Sequence, residues 1–384
     1  MKVLLKFTKS LISIIKINFF IINCKRKTPG RKIILFYYPR ITLTKKDIPY
    51  IEDLFNEVEQ NYQVLYAHEM YKFDKKNYFF LRQRFLKLIF GIDLFVSNYL
   101  SDKFPQRSLK LYIHHCITDC PLTEDKKELE TALRFSNYNY IYLSSDFVVK
   151  YFKNLISKFS NSLENSKKNK LIIESIGYPR LDYLSKNSKS IEKKDSIIIS
   201  PANFLAYPKH SIINDLENII KLLLENLDYK IIFRPHPANK ILNFNKKNKI
   251  DNPVYKIANK FEKNKNFKFD TEDNYLENYF RSACMITDLS GTSFTYSFLT
   301  LRPVIFFSPN DDIIQAAYKD FNHFKDRESI GLVTKDYKEI VNKINYVLKE
   351  QKFFENSISE IKKKFNYINT SKNEFKKKIY KVLN

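Results

Sequence analysis

Three short stretches of this 384-residue chain combine residue types that handle phosphate and protons. The first, TDLSGTSFTYSF (Thr287 to Phe298), sets Ser290, Gly291, Thr292 and Ser293 between an apolar run ending at Ile286 and the strand-like Pro303 to Phe307. Gly291 is one of only five glycines, so its position carries information. A helix starting here presents its first free N–H groups at the carboxyl end of a strand, where open parallel sheets bind ligands. Small residues let an anion approach that backbone, and hydroxyls add donors. The patch suits a phosphate group, and it also suits a plain N-cap.

The second stretch is RPHPANK. Arg234 and His236 follow the apolar run from Tyr229, and Pro235 and Pro237 stiffen the histidine outside the sheet. A rigid His beside an Arg fits a phosphate clamp or a proton-transfer role. The third is LYIHHCITDCPL, where His114 and His115 end an expected strand and Asp119 follows four residues after His115. Adjacent strand residues point to opposite faces, so only one of the two histidines can face a site, as a general base. The spacing of His114, His115, Cys116 and Cys120 matches no common zinc module, and no metal site is expected.

Elements that could position these residues alternate along the chain. Strands are expected at 33–38, 63–66, 92–97, 109–114, 140–143 and 171–176, with helix-forming stretches between them. The polar run KNSKSIEKKD, Lys186 to Asp195, reads as a linker. The pattern restarts with strands at 196–200, 229–234, 284–287, 304–307 and 331–334, and an amphipathic helix from Ile212 to Leu227. Asn239 to Lys268 reads as a loop followed by a polar helix, and Ser371-x-x-Glu374 as a capping box for a terminal helix. The fold class is α/β, two halves in tandem. The expected organisation is residues 1–30 as a basic helix, 31–189 and 190–350 as two domains, and 351–384 as helices packing back on them.

Bulk composition sets limits. Hydrophobic residues make up 44% and aromatics 15%, enough for real cores, so the chain is globular. A net charge of +24 invites nucleic acid as partner, yet the lysines are dispersed and no nucleic-acid motif accompanies them. An anionic membrane surface or phosphorylated substrate accounts for the charge without nucleic acid. Cys24, Cys116, Cys120 and Cys284 are too few for a disulfide scaffold, which favours a reduced compartment. At the amino terminus, Lys2, Lys6, Lys9, Ser13 and Lys16 draw a basic stripe along a helix, with Leu5, Leu11, Ile12, Ile15, Phe19 and Ile22 mostly elsewhere around it. The charges recur too often for a spanning helix. An in-plane helix on an anionic bilayer is the expectation, and packing on the first domain is the alternative.

Taken in order, the motifs resemble those of the CDP-glycerol glycerophosphotransferase family, which primes and extends teichoic-acid-like polymers. The resemblance rests on His115, then Gly177-Tyr178-Pro179-Arg180-Leu181-Asp182, then His236-Pro237, then Thr287-Asp288-Leu289-Ser290, and finally Arg302-Pro303-Val304-Ile305-Phe306-Phe307. It implies a GT-B arrangement of two Rossmann-like domains with parallel sheets facing a cleft. It implies His115 as the base that activates an acceptor hydroxyl, with His236 and Ser290 holding the pyrophosphate of a CDP-linked donor. Pro179, Arg180, Arg234, Gly291, Thr292 and Ser293 complete the implied donor-binding set. Attack on the phosphorus next to the glycerol would release CMP, with no permanently bound cofactor. The implied place is cytoplasmic, peripheral on the inner face of the membrane, with an anionic glycan or lipid-linked acceptor as partner. Three positions depart from the pattern: Cys116 stands for a Gly, Gly291 for the second Ser of a pair, and Thr295 for an Asp. The Ser-Gly-Thr-Ser turn is also similar to that of nucleotide-sugar glycosyltransferases of capsule or lipopolysaccharide assembly. A non-catalytic basic module would use the charge alone.

Overall fold

The computed structural model describes residues 2–39, 47–69, 77–119, 125–163, 171–188, 194–241, 252–318 and 321–384. Cys120 and the middle of the expected linker, 189–193, lie outside them, as does much of the expected loop after Asn239. The chain forms two compact units. The first comprises Met1–Cys116, Thr123–Tyr183 and Asn366–Asn384, and the second Ile117–Leu122 and Leu184–Phe365.

The first unit is built on a seven-stranded parallel sheet: β1 (Ile33–Tyr38), β2 (Gln63–His68), β3 (Tyr78–Phe80), β4 (Leu94–Ser97), β5 (Leu109–Ile113), β6 (Tyr140–Leu143) and β7 (Ile172–Ser175), in the order 3-2-1-4-5-6-7. β1 is apolar along its whole length because both its faces are covered. Ile34, Phe36 and Tyr38 pack with Phe375, Ile379 and Leu383 of the terminal helix Ser371–Leu383. Ile33, Leu35 and Tyr37 pack on the other side with Ile14, Ile17 and Ile21 of the helix Lys2–Lys27. The two-residue period of the strand thus sorts the two ends of the chain onto opposite faces.

Three details modify the expectations. The capping box does not form: Ser371 donates its N–H and its hydroxyl to Asp182, which also accepts the Asn369 N–H at 2.7 Å. A carboxylate from the first unit's own helix Pro179–Lys186 does the capping instead. The amino-terminal helix buries Ser13, a member of the expected basic stripe, and turns Leu11, Ile12, Ile15, Phe19 and Ile22 outward. By length and composition alone Phe7–Lys27 would suffice to cross a bilayer, despite its charges. β3 was not expected; it is a three-residue edge strand, Tyr-Phe-Phe.

Gly177 has φ +80°, and a β-carbon there would lie 2.9 Å from the Asn366 carbonyl and 2.9 Å from Tyr367 Cβ. Gly177→Ala should destabilise the protein by about 2 kcal/mol or more, from left-handed strain plus the clash. A chemical-denaturation midpoint that does not move would contradict this. His68, at the end of β2, is buried, and that burial pushes its pKa down to about 4. Between pH 6.5 and 4 the unfolded chain binds the proton that the folded one refuses, so stability falls as pH falls through this window. The full loss is about 3 kcal/mol. His68→Gln should flatten that part of the pH–stability curve; an unchanged slope would assign it to other groups.

The second unit carries a six-stranded parallel sheet: β8 (Ser196–Ile199), β9 (Lys230–Phe233), β10 (Phe267–Phe269), β11 (Ser282–Thr287), β12 (Val304–Phe307) and β13 (Gly331–Thr334), in the order 10-9-8-11-12-13. Renumbered within the unit this is 3-2-1-4-5-6, the Rossmann order, and the first unit repeats it with one strand added. β10 falls within the stretch read as loop and polar helix. Helix Pro253–Phe261, which precedes it, is amphipathic and buries Val254, Ile257 and Ala258. The expected helix from Ile212 starts as a 3-10 turn, Ile212–Asn214, and becomes α-helical over Leu216–Asn226.

Candidate active site

In a sheet of this order the strand sequence reverses between its first and fourth strands, and the carboxyl ends there open a crevice for ligands. In the second unit those strands are β8 and β11. Asp288, just past β11, is fully buried and accepts the Ala202 N–H at 2.7 Å and the Ile212 N–H at 3.1 Å. Thr287 donates its hydroxyl to the Ser200 carbonyl at 2.6 Å. Asn239, just past His236, donates to the Ala202 carbonyl at 3.1 Å. The loops after β8, β9 and β11 are therefore laced into one rim. Burial pushes the Asp288 carboxyl up while the backbone N–H groups pull it down. Its two oxygens are spent on backbone, so Asp288 is a tie between loops.

Gly291 caps the helix Thr292–Thr300 with φ −59°, so glycine is not there for a left-handed turn. Ser290 is buried but borders half-exposed Gly291 and Thr292. Ser293 corrects the expectation. It is fully buried, and its hydroxyl donates to the Ser290 carbonyl at 2.8 Å. It closes the first helical turn rather than offering a donor to a ligand. Thr295 is buried too, within the same helix.

Arg234 is likewise held by protein groups. Its guanidinium donates to the Asp270 carboxylate at 2.7 Å and to the Glu272 carbonyl at 2.9 Å, and it lies over the Tyr275 ring at 5.0 Å. Asp270 is wholly buried and takes a further bond from Asn278 at 2.7 Å. Arg234 is thus a strut at the end of β9, one residue before the Pro235-His236-Pro237 turn. His236 Nδ1 accepts the Ala238 N–H at 3.2 Å, which fixes the ring at the start of the helix Pro237–Ile241.

The first unit has its own group at the equivalent edge. His114 is buried against Phe152 and Tyr112, with ring centroids 5.3 Å and 6.0 Å away. His115 is half-buried; it stacks on Tyr99 at 4.2 Å, and its Nδ1 lies 3.3 Å from the Tyr112 hydroxyl. Its carbonyl accepts the Tyr178 hydroxyl at 3.0 Å. Alongside stands a buried polar network in which Asn98 donates to Asp47 at 2.9 Å and to Tyr50 at 3.3 Å, with Arg180 3.8 Å from Asp47. Burial, then the Asp47 charge, raises the Tyr99 hydroxyl well above its ordinary value, with Arg180 opposing. Pro179 starts the helix that carries Arg180, so both belong to the His115 group of the first unit. Arg234, His236 and the turn at Ser290 belong to the second.

Asp119, four residues after His115, belongs to the second unit, where it caps the helix Asn322–Asp326 through the Asn322 and His323 N–H groups at 2.7 Å and 3.2 Å. Among the described residues no cluster of three or more His, Cys, Asp or Glu could hold a metal, and Cys24 and Cys284 are free thiols. Sequence reasoning missed Asp47, Asn98 and Tyr99. The same signal that singled out His114 and His115, polar residues directly after an apolar strand, applied to Asn98 and Tyr99 after β4.

Residues 22–383 match the family described as CDP-Glycerol:Poly(glycerophosphate) glycerophosphotransferase. The chain belongs to this family. It is a glycerophosphotransferase-type transferase, and its two Rossmann-like units are those of the GT-B class of folds. The solved wall teichoic acid polymerase TagF aligns with 99% of this chain and 97% of its own, at 17% identity and a TM-score of 0.60. S. aureus MnaA, solved with UDP, aligns with 91% of this chain and 95% of its own, at 10% identity and a TM-score of 0.57. Both likenesses are of fold. No curated protein sequence matches the chain.

Proposed function

We propose that the protein transfers glycerol phosphate, or a related polyol phosphate, from a CDP-linked donor to a hydroxyl of a cell-surface glycan or lipid-linked acceptor. The observation that carries this reading is the rim of the second unit. There the bonds of Asp288 and Asn239 hold three strand-end loops together, with the backbone around Gly291 and the fixed ring of His236 at the switch point. TagF lends further support, since a variant of that polymerase has been soaked with CDPG.

In the proposed reaction the acceptor oxygen attacks the phosphorus next to the glycerol. The bond from that phosphorus to the bridging oxygen breaks, and CMP leaves with the electron pair. The acceptor proton passes to His115, whose Nδ1 faces Tyr112, so Nε2 is the receiving nitrogen. His236 and the Ser290–Thr292 turn neutralise the diphosphate, and positioning supplies the rest of the rate. No resident cofactor or metal is required by this scheme.

The protein works on the inner face of the membrane, held by the outward apolar stripe of its amino-terminal helix. Incubation with CDP-glycerol and a lipid-linked glycerol phosphate acceptor should give CMP and a new phosphodiester signal by 31P NMR. CMP-free spectra, with UDP released from a UDP-sugar under the same conditions, would reassign the protein to sugar transfer.

A further inference from the structure

A cavity of about 590 Å3 lies at the opposite edge of the first unit's sheet from His115, lined by Lys87, Asp102, Phe104, Arg107, Lys110 and Asn139 among others. Lys110 stands at the start of β5 and the others precede β4, β5 or β6, whereas the His115 group follows the strands. Strands of this length separate the two edges by roughly 15 Å. The cavity is therefore no part of the site already described.

Its charge is one-sided. Asp102 is already paired with Arg134, Nε to Oδ1 at 2.8 Å, and among the described residues of the wall no second acid accompanies Lys87 and Arg107. Lys110 lies over the Phe104 ring at 4.9 Å, which holds its ammonium at the cavity. Among the described residues neither Lys87 nor Arg107 has an ion-pair partner. Arg107 has φ +57°, a left-handed conformation that glycine or asparagine would adopt at lower cost. A turn that keeps arginine there points to a use for the guanidinium.

The setting of the cavity indicates the ligand. Lys87 is followed by exposed Leu88 and Phe90, and Asn18 of the amino-terminal helix bonds the Leu88 carbonyl at 2.9 Å and the Phe90 N–H at 3.1 Å. That contact joins Leu88 and Phe90 to the outward stripe of Phe7, Leu11, Ile15, Phe19 and Ile22, where Ile15 and Phe19 are 65% and 64% exposed. Lys9 and Lys16 run along one margin of the stripe and Arg84 caps the Phe7 ring at 5.6 Å. An apolar face with a basic rim matches the acyl–headgroup boundary of an anionic bilayer.

We propose that this cavity binds the phosphodiester headgroup of a membrane lipid through Lys87, Arg107 and Lys110 while the helix stripe, Leu88 and Phe90 enter the bilayer surface. The inference rests on the membrane-surface reading above and adds a discrete headgroup site to it. Three full-length variants test it: Arg107→Gln/Lys110→Gln at the cavity, Ile15→Asp/Phe19→Asp on the stripe, and Lys9→Gln/Lys16→Gln as a charge-matched control. Flotation with phosphatidylcholine vesicles, with and without phosphatidylglycerol, reads membrane binding. Line broadening of soluble glycerophosphoglycerol by 31P NMR reads the cavity alone.

The cavity variant should keep its binding to phosphatidylcholine, lose roughly tenfold or more of the gain from phosphatidylglycerol, and no longer broaden the soluble headgroup. The lysine control should lose vesicle affinity but still broaden it. Wild-type broadening by the cavity variant overturns the proposal. Displacement of wild type from phosphatidylglycerol vesicles by soluble poly(glycerol phosphate), abolished in the cavity variant, would give the site to the polymer and overturn the lipid assignment. Flotation of Ile15→Asp/Phe19→Asp like wild type contradicts the membrane-surface reading itself, independently of the cavity result.

Discussion

Replacing His115 by alanine is expected to lower CMP release from CDP-glycerol by roughly 10²- to 10⁴-fold, the range for removing a general base. The ring is half-buried and stacked on Tyr99, outside the packed core, so the melting temperature should stay close to that of wild type. The donor should still bind, because the rim proposed to hold it belongs to the second unit. His236→Ala is expected to fail differently. It removes a ring fixed at the rim by the Ala238 N–H, so donor affinity should fall along with turnover. Steady-state kinetics separate the two: a fall in kcat at near-constant KM for His115→Ala, and a rise in KM with a fall in kcat for His236→Ala. Normal turnover in either variant removes that residue from the mechanism.

Asp270→Ala is expected to cost about 3–5 kcal/mol, because it leaves the Arg234 guanidinium in a nearly closed site without its counter-charge. For a unit of this size that is a fall in melting temperature of about 10 °C. Asn278 and the Glu272 N–H lose their acceptor at the same time. Since Arg234 braces the turn that carries His236, donor affinity should fall even at temperatures where the variant is folded. Asp270→Asn keeps an acceptor and the shape, and should lie between the variant and wild type in both measurements. Scanning calorimetry checks the stability and donor titration checks the affinity. An Asp270→Ala protein that melts like wild type would show that the pair does not hold the end of β9.

Much of the fold was legible from apolar runs. Strands buried on both faces, such as 33–38 and 304–307, read as unbroken aliphatic and aromatic residues, and their expected bounds match the structure. The two missed strands, Tyr78–Phe80 and Phe267–Phe269, sit at the sheet edges, where three residues with one covered face leave no period to detect. The amino-terminal helix was legible as a helix but not as to which side it buries. Its Ile14, Ile17 and Ile21 are no more apolar than Ile15, Phe19 and Ile22, so only the partner surface decides.

The site divides in the same way. The strand-end positions of His115, His236 and the Ser290–Thr292 turn could be read, because each follows directly on an apolar run. The jobs of Arg234 and Asp182 could not, because each is defined by a partner distant in sequence: Asp270 for the first, and Asn369 and Ser371 for the second. A buried guanidinium and one that clamps a phosphate are the same letter in a sequence.

The central claim is the donor, and thermal unfolding of the purified protein with CDP-glycerol, CDP-ribitol, UDP-sugars and a CMP-linked sugar tests it most directly. A ligand at about 100 times its Kd adds roughly 2.7 kcal/mol to the folded state, enough to raise the melting temperature by several degrees. The account predicts such a shift with CDP-glycerol or its close polyol relative, lost in His236→Ala and kept in His115→Ala. A shift with a sugar nucleotide and none with either CDP-polyol would contradict it.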